Sequence, residues 1–304
     1  MKKIAVVGSL NVDYVVNVCK PPETGETVLA NGFSIVPGGK GANQAFALGR
    51  MGASVAMFGA VGNDKNASIE LENLVRVGVN VEEVLHTDDS TGMAMITVDA
   101  NGDNRIIVVQ GANQAVSPEY IDSKLEALKQ YDIIIFQLEI PIDTVTYAAK
   151  QLKSFGKTII LDPAPAPDSL PKDLLKHVDY IKPNETELAR LTHQKSKDFD
   201  VVRACDELLS QGVGCVLASM GGDGVVIKSA GKTAKKYLAE KVKVVDTTAA
   251  GDAFTASVAY ALANERNIGE AVQFANKVAA VVVQRAGAQN SIPEHNKILE
   301  IWNS

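Results

Sequence analysis

Short β-branched runs alternate with longer segments of helical period along most of this chain, and that alternation restricts the fold more than any other feature. The runs 3–7, 54–59, 132–137, 158–161, 180–182, 215–219 and 225–228 read as core strands. Helical segments occupy 41–50, 66–77, 118–130, 142–155, 185–191 and 201–211, and two more cover 251–263 and 268–285. In the first of that last pair, Phe254, Val258, Ala261 and Leu262 recur at helical spacing, so one face packs inward. Serial βα units of this kind predict a three-layer α/β fold, with a mostly parallel central sheet flanked by helices on both faces.

Two segments, 14–36 and 93–109, break the rhythm and read as antiparallel strands. In the second, Asn101-Gly102 separates two apolar runs, and both residues tolerate the positive φ of a tight hairpin turn. A small β lid built from about 13–36 and 91–110 would sit over the carboxyl ends of the parallel strands, where ligands bind in open α/β sheets. The chain then reads as one domain, 1–304, carrying a lid subdomain.

Composition excludes several classes of function. With 46% hydrophobic and 22% charged residues the chain is globular, and a net charge of −6 gives nucleic acid no basic footprint. Its longest apolar stretches, 133–136 and 278–283, fall far short of the roughly 18 residues that cross a membrane. Cys19, Cys205 and Cys215 are widely spaced and form no C-x-x-C pair, which predicts a cytoplasmic protein without disulfides or structural zinc. His86, His177, His193 and His295 show no metal spacing and are expected at the surface.

Five motifs carry possible chemistry. Val245 to Phe254 leaves a strand, passes through small residues and enters a helix, placing Gly251 and Asp252 at a helix N-terminus, where free N–H groups and the dipole attract an anion. Asp252 there is either a base or simply a helix N-terminal acid. Gly38-Gly39-Lys40-Gly41-Ala42-Asn43 opens another helix; it is neither a Walker A loop, because Gly41 follows Lys40, nor a dinucleotide fingerprint, because no βαβ unit frames it. Asn11 and Asp13 follow the first strand with groups suited to sugar hydroxyls, or form an Asx turn. Asn184 and Glu187 open a helix, as a water-mediated magnesium pair or as a capping box. Arg285 to Ser291 ends the last long helix in a turn that can equally be a C-cap.

In this order and at these separations the five motifs resemble those of the ribokinase-like family of sugar and nucleoside kinases, over essentially the whole chain. The resemblance implies transfer of the γ-phosphoryl group of ATP to the 5-hydroxyl of D-ribose, giving D-ribose 5-phosphate and ADP, or to another pentose, a nucleoside or a hexose. It assigns substrate binding to Asn11, Asp13, Gly39, Lys40, Gly41, Ala42, Asn43 and Glu139, and the base to Asp252 beside an anion hole of Ala249, Ala250 and Gly251. It places ATP against Asn184, Ser219, Met220, Gly221, Gly222, Asp223, Gly224, Gly251 and Asn276, with Glu187 holding Mg2+ through water. A K+ site would use Asp246, Ser291 and the carbonyls of Thr248, Val282, Arg285 and Gly287. The family's lids commonly pair, which implies a homodimer. Asp162, where the family usually has Asn, and Ala253, where Thr is common, are departures at positions given no chemistry.

Overall fold

The computed structural model describes residues 1–194 and 199–304. Strand β1 (Ile4–Val7) leads into β2 (Asn11–Asn17) and β3 (Gly32–Gly38), then α1 (Lys40–Arg50), β4 (Val55–Phe58), β5 (Ala60–Gly62) and α2 (Lys65–Arg76). There follow β6 (Leu85–Thr87), β7 (Gly92–Val98), β8 (Asn104–Val109), α3 (Pro118–Leu128), β9 (Ile133–Phe136), α4 (Ile142–Ser154) and β10 (Thr158–Leu161). The remainder holds α5 (Lys172–Leu175), β11 (Tyr180–Ile181), α6 (Glu185–Leu191), α7 (Val201–Ser210), β12 (Cys215–Ser219), β13 (Val225–Ser229) and β14 (Lys235–Tyr237), then α8 (Ala250–Ala263), α9 (Ile268–Val282) and α10 (His295–Asn303).

The central sheet runs in the order β14-β13-β12-β11-β10-β9-β1-β4. Every pair from β4 to β12 is parallel, and β13 and β14 add an antiparallel edge. Side-chain alternation divides its core in two. Ile4 and Val6 of β1 face the cluster under α1, α8 and α9, while Ala5 and Val7 face the cluster under α3, α4 and α7. Both faces are covered, which is why β1 and β9 read as unbroken apolar runs. Each large side chain buried there, such as Ile135 or Phe136, contributes roughly 1.5–3 kcal/mol.

The lid is a four-stranded sheet, β3-β2-β7-β8. Its outer pairs are antiparallel and its middle pair, β2 with β7, is parallel. Gly102 turns the β7–β8 hairpin with φ +86°. Asn11 pairs with Gly38 and Gly92, so Asn11 and Asp13 belong to the base of the lid and not to an Asx turn.

Helix ends differ according to what they face. Asp64 caps α2, Ser117 caps α3 ahead of Pro118, and Asn267 with Glu270 forms a capping box on α9. The N-termini of α1 and α8 carry no capping side chain. At α1 the Lys40, Gly41 and Ala42 N–H groups are taken by Glu139 and by the hydroxyl and carbonyl of Ser9, whereas at α8 the Gly251 and Asp252 N–H groups have no acceptor among the described residues. Helix α9 ends at Val282, and the residues expected to extend it to 285 form the turn that closes around Asp246.

Candidate active site

Five parallel strands end on one edge of the sheet, and each delivers a polar residue there. Ser9 follows β1, Gln137 and Glu139 follow β9, Asp162 follows β10, Lys182 and Asn184 follow β11, and Ser219 ends β12. The order in which successive strands are laid down reverses about β1, which pairs in parallel with β4 on one side and β9 on the other; this is the crevice where ligands bind in doubly wound folds.

The glycine-rich turn makes α1 fit over this edge. Gly39 has φ +83°, and a Cβ there would stand 2.8 Å from the Asn11 nitrogen. A Cβ on Gly41 would stand 2.6 Å from the Ser9 nitrogen. Only glycine lets the turn approach so closely. In consequence the Lys40 N–H donates to Glu139 Oε2 at 3.0 Å, and the Ser9 hydroxyl donates to the same oxygen at 2.5 Å. Asn113 Nδ2 donates to Asn11 Oδ1 at 2.7 Å, fixing the Asn11 side chain.

Asp252 lies in the first turn of α8 and is 6% exposed. Asn43 Nδ2 donates to its Oδ2 at 2.9 Å, and Gln44 Nε2 donates to its Oδ1 at 3.1 Å. Burial raises the Asp252 carboxyl above the ordinary range; Lys40 opposes this, Asp162 adds to it, and Asn43 and Lys182 oppose it. Burial alone would depress the Lys40 ammonium, but Asp252, Asp162, Glu139 and Glu187 outweigh it and hold that group protonated well above its usual range. Asp13 is pushed up to about 7, first by burial and then by Glu139 and Asp252.

Ala249, the residue before α8, sits in the left-handed region at φ +58°. For an alanine that conformation costs on the order of 1–3 kcal/mol, and such strain gathers where backbone is shaped for a ligand. Beyond the turn opens a cleft of about 550 Å³ whose walls include Asn184, Ser219, Gly224, Ala250, Gly251 and Asn276. Asn276 Nδ2 donates to the Leu238 carbonyl at 3.2 Å and ties α9 to the segment after β14.

Most residues named from the sequence converge here, with three corrections. Met220 packs against the core beneath the cleft, and Asp223 is not among the residues that line it; Gly221, Gly222 and Gly224 are. Glu187 and Asn184 form the full capping box, each side chain accepting the other's backbone N–H at 2.8 Å. Glu187 thus has one carboxylate oxygen committed to the helix. Third, Asp162 is not a bystander. It is 1% exposed, accepts from Gln44 Nε2 at 3.0 Å and stands 3.1 Å from Lys182 Nζ.

Asp246 lies below the α8 turn. Its Oδ1 accepts from the Thr248 N–H at 2.9 Å and hydroxyl at 2.6 Å, and its Oδ2 accepts from the Gly287 N–H at 2.8 Å. Those bonds outweigh burial and hold its carboxyl below the usual range. The Val282 carbonyl takes the Arg285 N–H at 3.1 Å, and the Ser291 hydroxyl donates to the Ala288 carbonyl at 2.6 Å. Among the described residues no set of three or more His, Cys, Asp or Glu side chains could hold a metal.

Sequence reasoning gave no role to Gln44, Asn113, Gln137, Asp162 or Lys182. Gln137 Nε2 donates to Gln44 Oε1 at 2.5 Å, so the network reaches Asp252 from a strand more than a hundred residues away in sequence. No local pattern marks such a partner.

A buried carboxylate between an alcohol-sized polar pocket and a helix N-terminus that opens on a nucleotide-sized cleft is the equipment of a phosphotransferase acting on an alcohol. Residues 1–295 match the pfkB family carbohydrate kinases. The chain is 42% identical, over its whole length, to the bifunctional ribokinase/ribose-5-phosphate isomerase A of Fructilactobacillus sanfranciscensis and spans 56% of that protein. It is 39% identical to the ribokinase of Bacillus subtilis, over 99% of both chains. The structure of Arabidopsis thaliana ribokinase complexed with ribose and ATP superposes with a TM-score of 0.91 at 33% identity, covering 100% of this chain and 99% of that one. The chain belongs to the pfkB family of carbohydrate kinases.

Proposed function

We propose that this protein transfers the γ-phosphoryl group of Mg-ATP to the 5-hydroxyl of D-ribose. The observation that carries the reading is the placement of Asp252: a buried carboxylate, its two oxygens oriented by Asn43 and Gln44, on the first turn of an uncapped helix. Full-length relatedness to ribokinases supports the choice of sugar.

In this mechanism Asn11, Asp13, Glu139 and the Gly39 to Asn43 turn hold the sugar hydroxyls. Asn43 Oδ1 is buried without a hydrogen-bond partner and supplies an acceptor for one of them. Asp252 takes the proton from the 5-hydroxyl as that oxygen attacks the γ-phosphorus. The N–H group of Gly251, presented by the left-handed Ala249, stabilises the charge on the transferring group, that of Ala250 being held by the Thr247 carbonyl at 3.2 Å, and Lys40 balances the carboxylates around it. Glu187 Oε1 and Asn184 would hold Mg2+ through water, which suits an ion that keeps much of its hydration shell, and the ion would supply positive charge to offset that of the phosphates.

A K+ ion would be held by Asp246, Ser291 and the carbonyls of Thr248, Val282, Arg285 and Gly287. The donor set fits, since every ligand is oxygen and the Asp246 carboxylate already bridges both turns. This reading treats 1–304 as one domain with its lid, set in the cytoplasm, where three free thiols are compatible with a reducing medium. Lid strands β3, β7 and β8 expose Phe33, Met95, Ile106 and Ile107, and pairing of two lids would cover them. Light scattering that shows a dimer, converted to monomer by Ile107→Lys, tests that pairing; an unchanged mass contradicts it.

The reaction is tested by a coupled assay with Mg-ATP and a panel of ribose, 2-deoxyribose, fructose and adenosine. Ribose is expected to give the highest kcat/KM. No turnover of ribose, or faster turnover of another acceptor, overturns the assignment.

A further inference from the structure

Lys182 is one of the least exposed lysines in the protein, 5% accessible, yet it forms part of the cleft wall. It follows β11 directly, so the strand fixes its backbone. Its ammonium stands beside the first turn of α8: a Cβ placed on Gly251 would meet Lys182 Nζ at 3.2 Å. Its one charge partner is Asp162, whose Oδ1 is 3.1 Å away. That contact is a charge pairing without an aligned hydrogen bond, because Asp162 Oδ1 has no hydrogen-bond partner among the described residues. Asp162 Oδ2, in turn, is held by Gln44 and Thr255 at 3.0 and 3.3 Å.

The ammonium is thus fixed by a buried carboxylate while its N–H donors remain open toward the cleft. Burying an ion pair costs several kcal/mol of desolvation per ion, and breaking it by removing one member costs more. As a core device the pair is a poor alternative to two apolar residues. As a way of holding a positive charge rigidly at the mouth of an anion site it is effective, since a preorganised charge needs no reorganisation during reaction.

We propose that Lys182, clamped by Asp162, is a catalytic residue that contacts the transferring phosphoryl group beside Gly251. The inference rests on the phosphotransferase reading above. In the step, the γ-phosphorus bond to the β,γ-bridging oxygen breaks and its bond to the acceptor oxygen forms. The acceptor proton goes to Asp252, and ADP leaves with the electron pair. Lys182 stays protonated throughout and donates to a phosphoryl oxygen. Its charge also opposes the effect of burial on Asp252, favouring the ionised base.

Calorimetry with Mg-AMP-PNP and Mg-ADP tests this without requiring turnover. Lys182→Met is expected to weaken Mg-AMP-PNP about tenfold or more, the value of a charge-assisted hydrogen bond, while Mg-ADP changes less than about threefold. Because Lys182→Met leaves Asp162 buried and unpaired, the double variant Asp162→Asn/Lys182→Met is measured alongside, with the same selective loss expected if the single variant fails to fold. With ribose, kcat is expected to fall roughly 10²–10³-fold, with less change in the ribose KM. Equal losses for the two nucleotides, or no loss, overturn the role of Lys182. A wild-type protein that turns over no sugar contradicts the proposed function, whereas selective loss of AMP-PNP in the variant is read without turnover and still places Lys182 against the γ-phosphate.

Discussion

Asp162 and Asp252 share one amide: Gln44 Nε2 donates to Asp162 Oδ2 at 3.0 Å and to Asp252 Oδ1 at 3.1 Å. The negative charge of Asp162 is among the groups that raise the Asp252 carboxyl, after burial. A base must be ionised to work, so kcat/KM should fall on the acid side with a limb above the ordinary aspartate range. Asp162→Asn removes a negative charge facing Asp252 and should move that limb to lower pH. A pH–rate profile with the limb unmoved, or moved upward, contradicts the coupling.

Asp13 links stability to pH. Its carboxyl is pushed up to about 7 from the ordinary aspartate range of about 4, so between these values the folded protein holds a proton that the unfolded chain releases. Stability from this group is present below about 4 and is lost as pH rises through about 7. Glu70, fully buried and also raised, contributes with the same sign. Urea midpoints of the sugar-free protein should therefore decline between pH 5 and pH 8, and Asp13→Asn should flatten the decline. An identical slope in wild type and variant refutes the assignment to Asp13.

Gly39 tests the close approach of the two loops. Gly39→Ala must adopt φ +83° and bring a Cβ to 2.8 Å from the Asn11 nitrogen. The expected cost is about 1–3 kcal/mol of stability from strain, with a raised ribose KM as Glu139 and Asn11 shift. Denaturant unfolding and saturation kinetics measure both, and a variant equal to wild type in each shows that the turn tolerates a side chain.

The proposed cation site gives an independent expectation. Exchanging K+ for Na+ at constant ionic strength should lower kcat, and Asp246→Asn should abolish the difference between the two ions. A rate equal in both salts for the wild type removes the cation from the mechanism.

Much of this was legible before any coordinates. The βα alternation specified the sheet, because a strand buried on both faces has no room for polar residues. The Asn101-Gly102 turn specified half of the lid. Gly39, Gly41, Gly251 and Asp252 stood out only in combination, since a glycine-rich turn or an acid at a helix start is commonly no more than that and gains meaning from the other motifs around it. Asp162 and Lys182 were not readable. Each looks in sequence like a charged residue ending a strand, and only the parallel pairing of β10 with β11 puts them 3.1 Å apart. Glu187 was legible in two ways, and its local capping chemistry is satisfied before any metal is considered.

The central claim is that Asp252 removes the acceptor proton while the α8 turn holds the phosphoryl group. Single-turnover transfer from Mg-ATP to ribose in Asp252→Asn, with ribose binding measured separately by calorimetry, tests it most directly. The predicted result is a transfer rate lower by roughly 10²–10⁴ with ribose affinity nearly unchanged. Transfer within about threefold of wild type would contradict it, since a general base contributes far more than that.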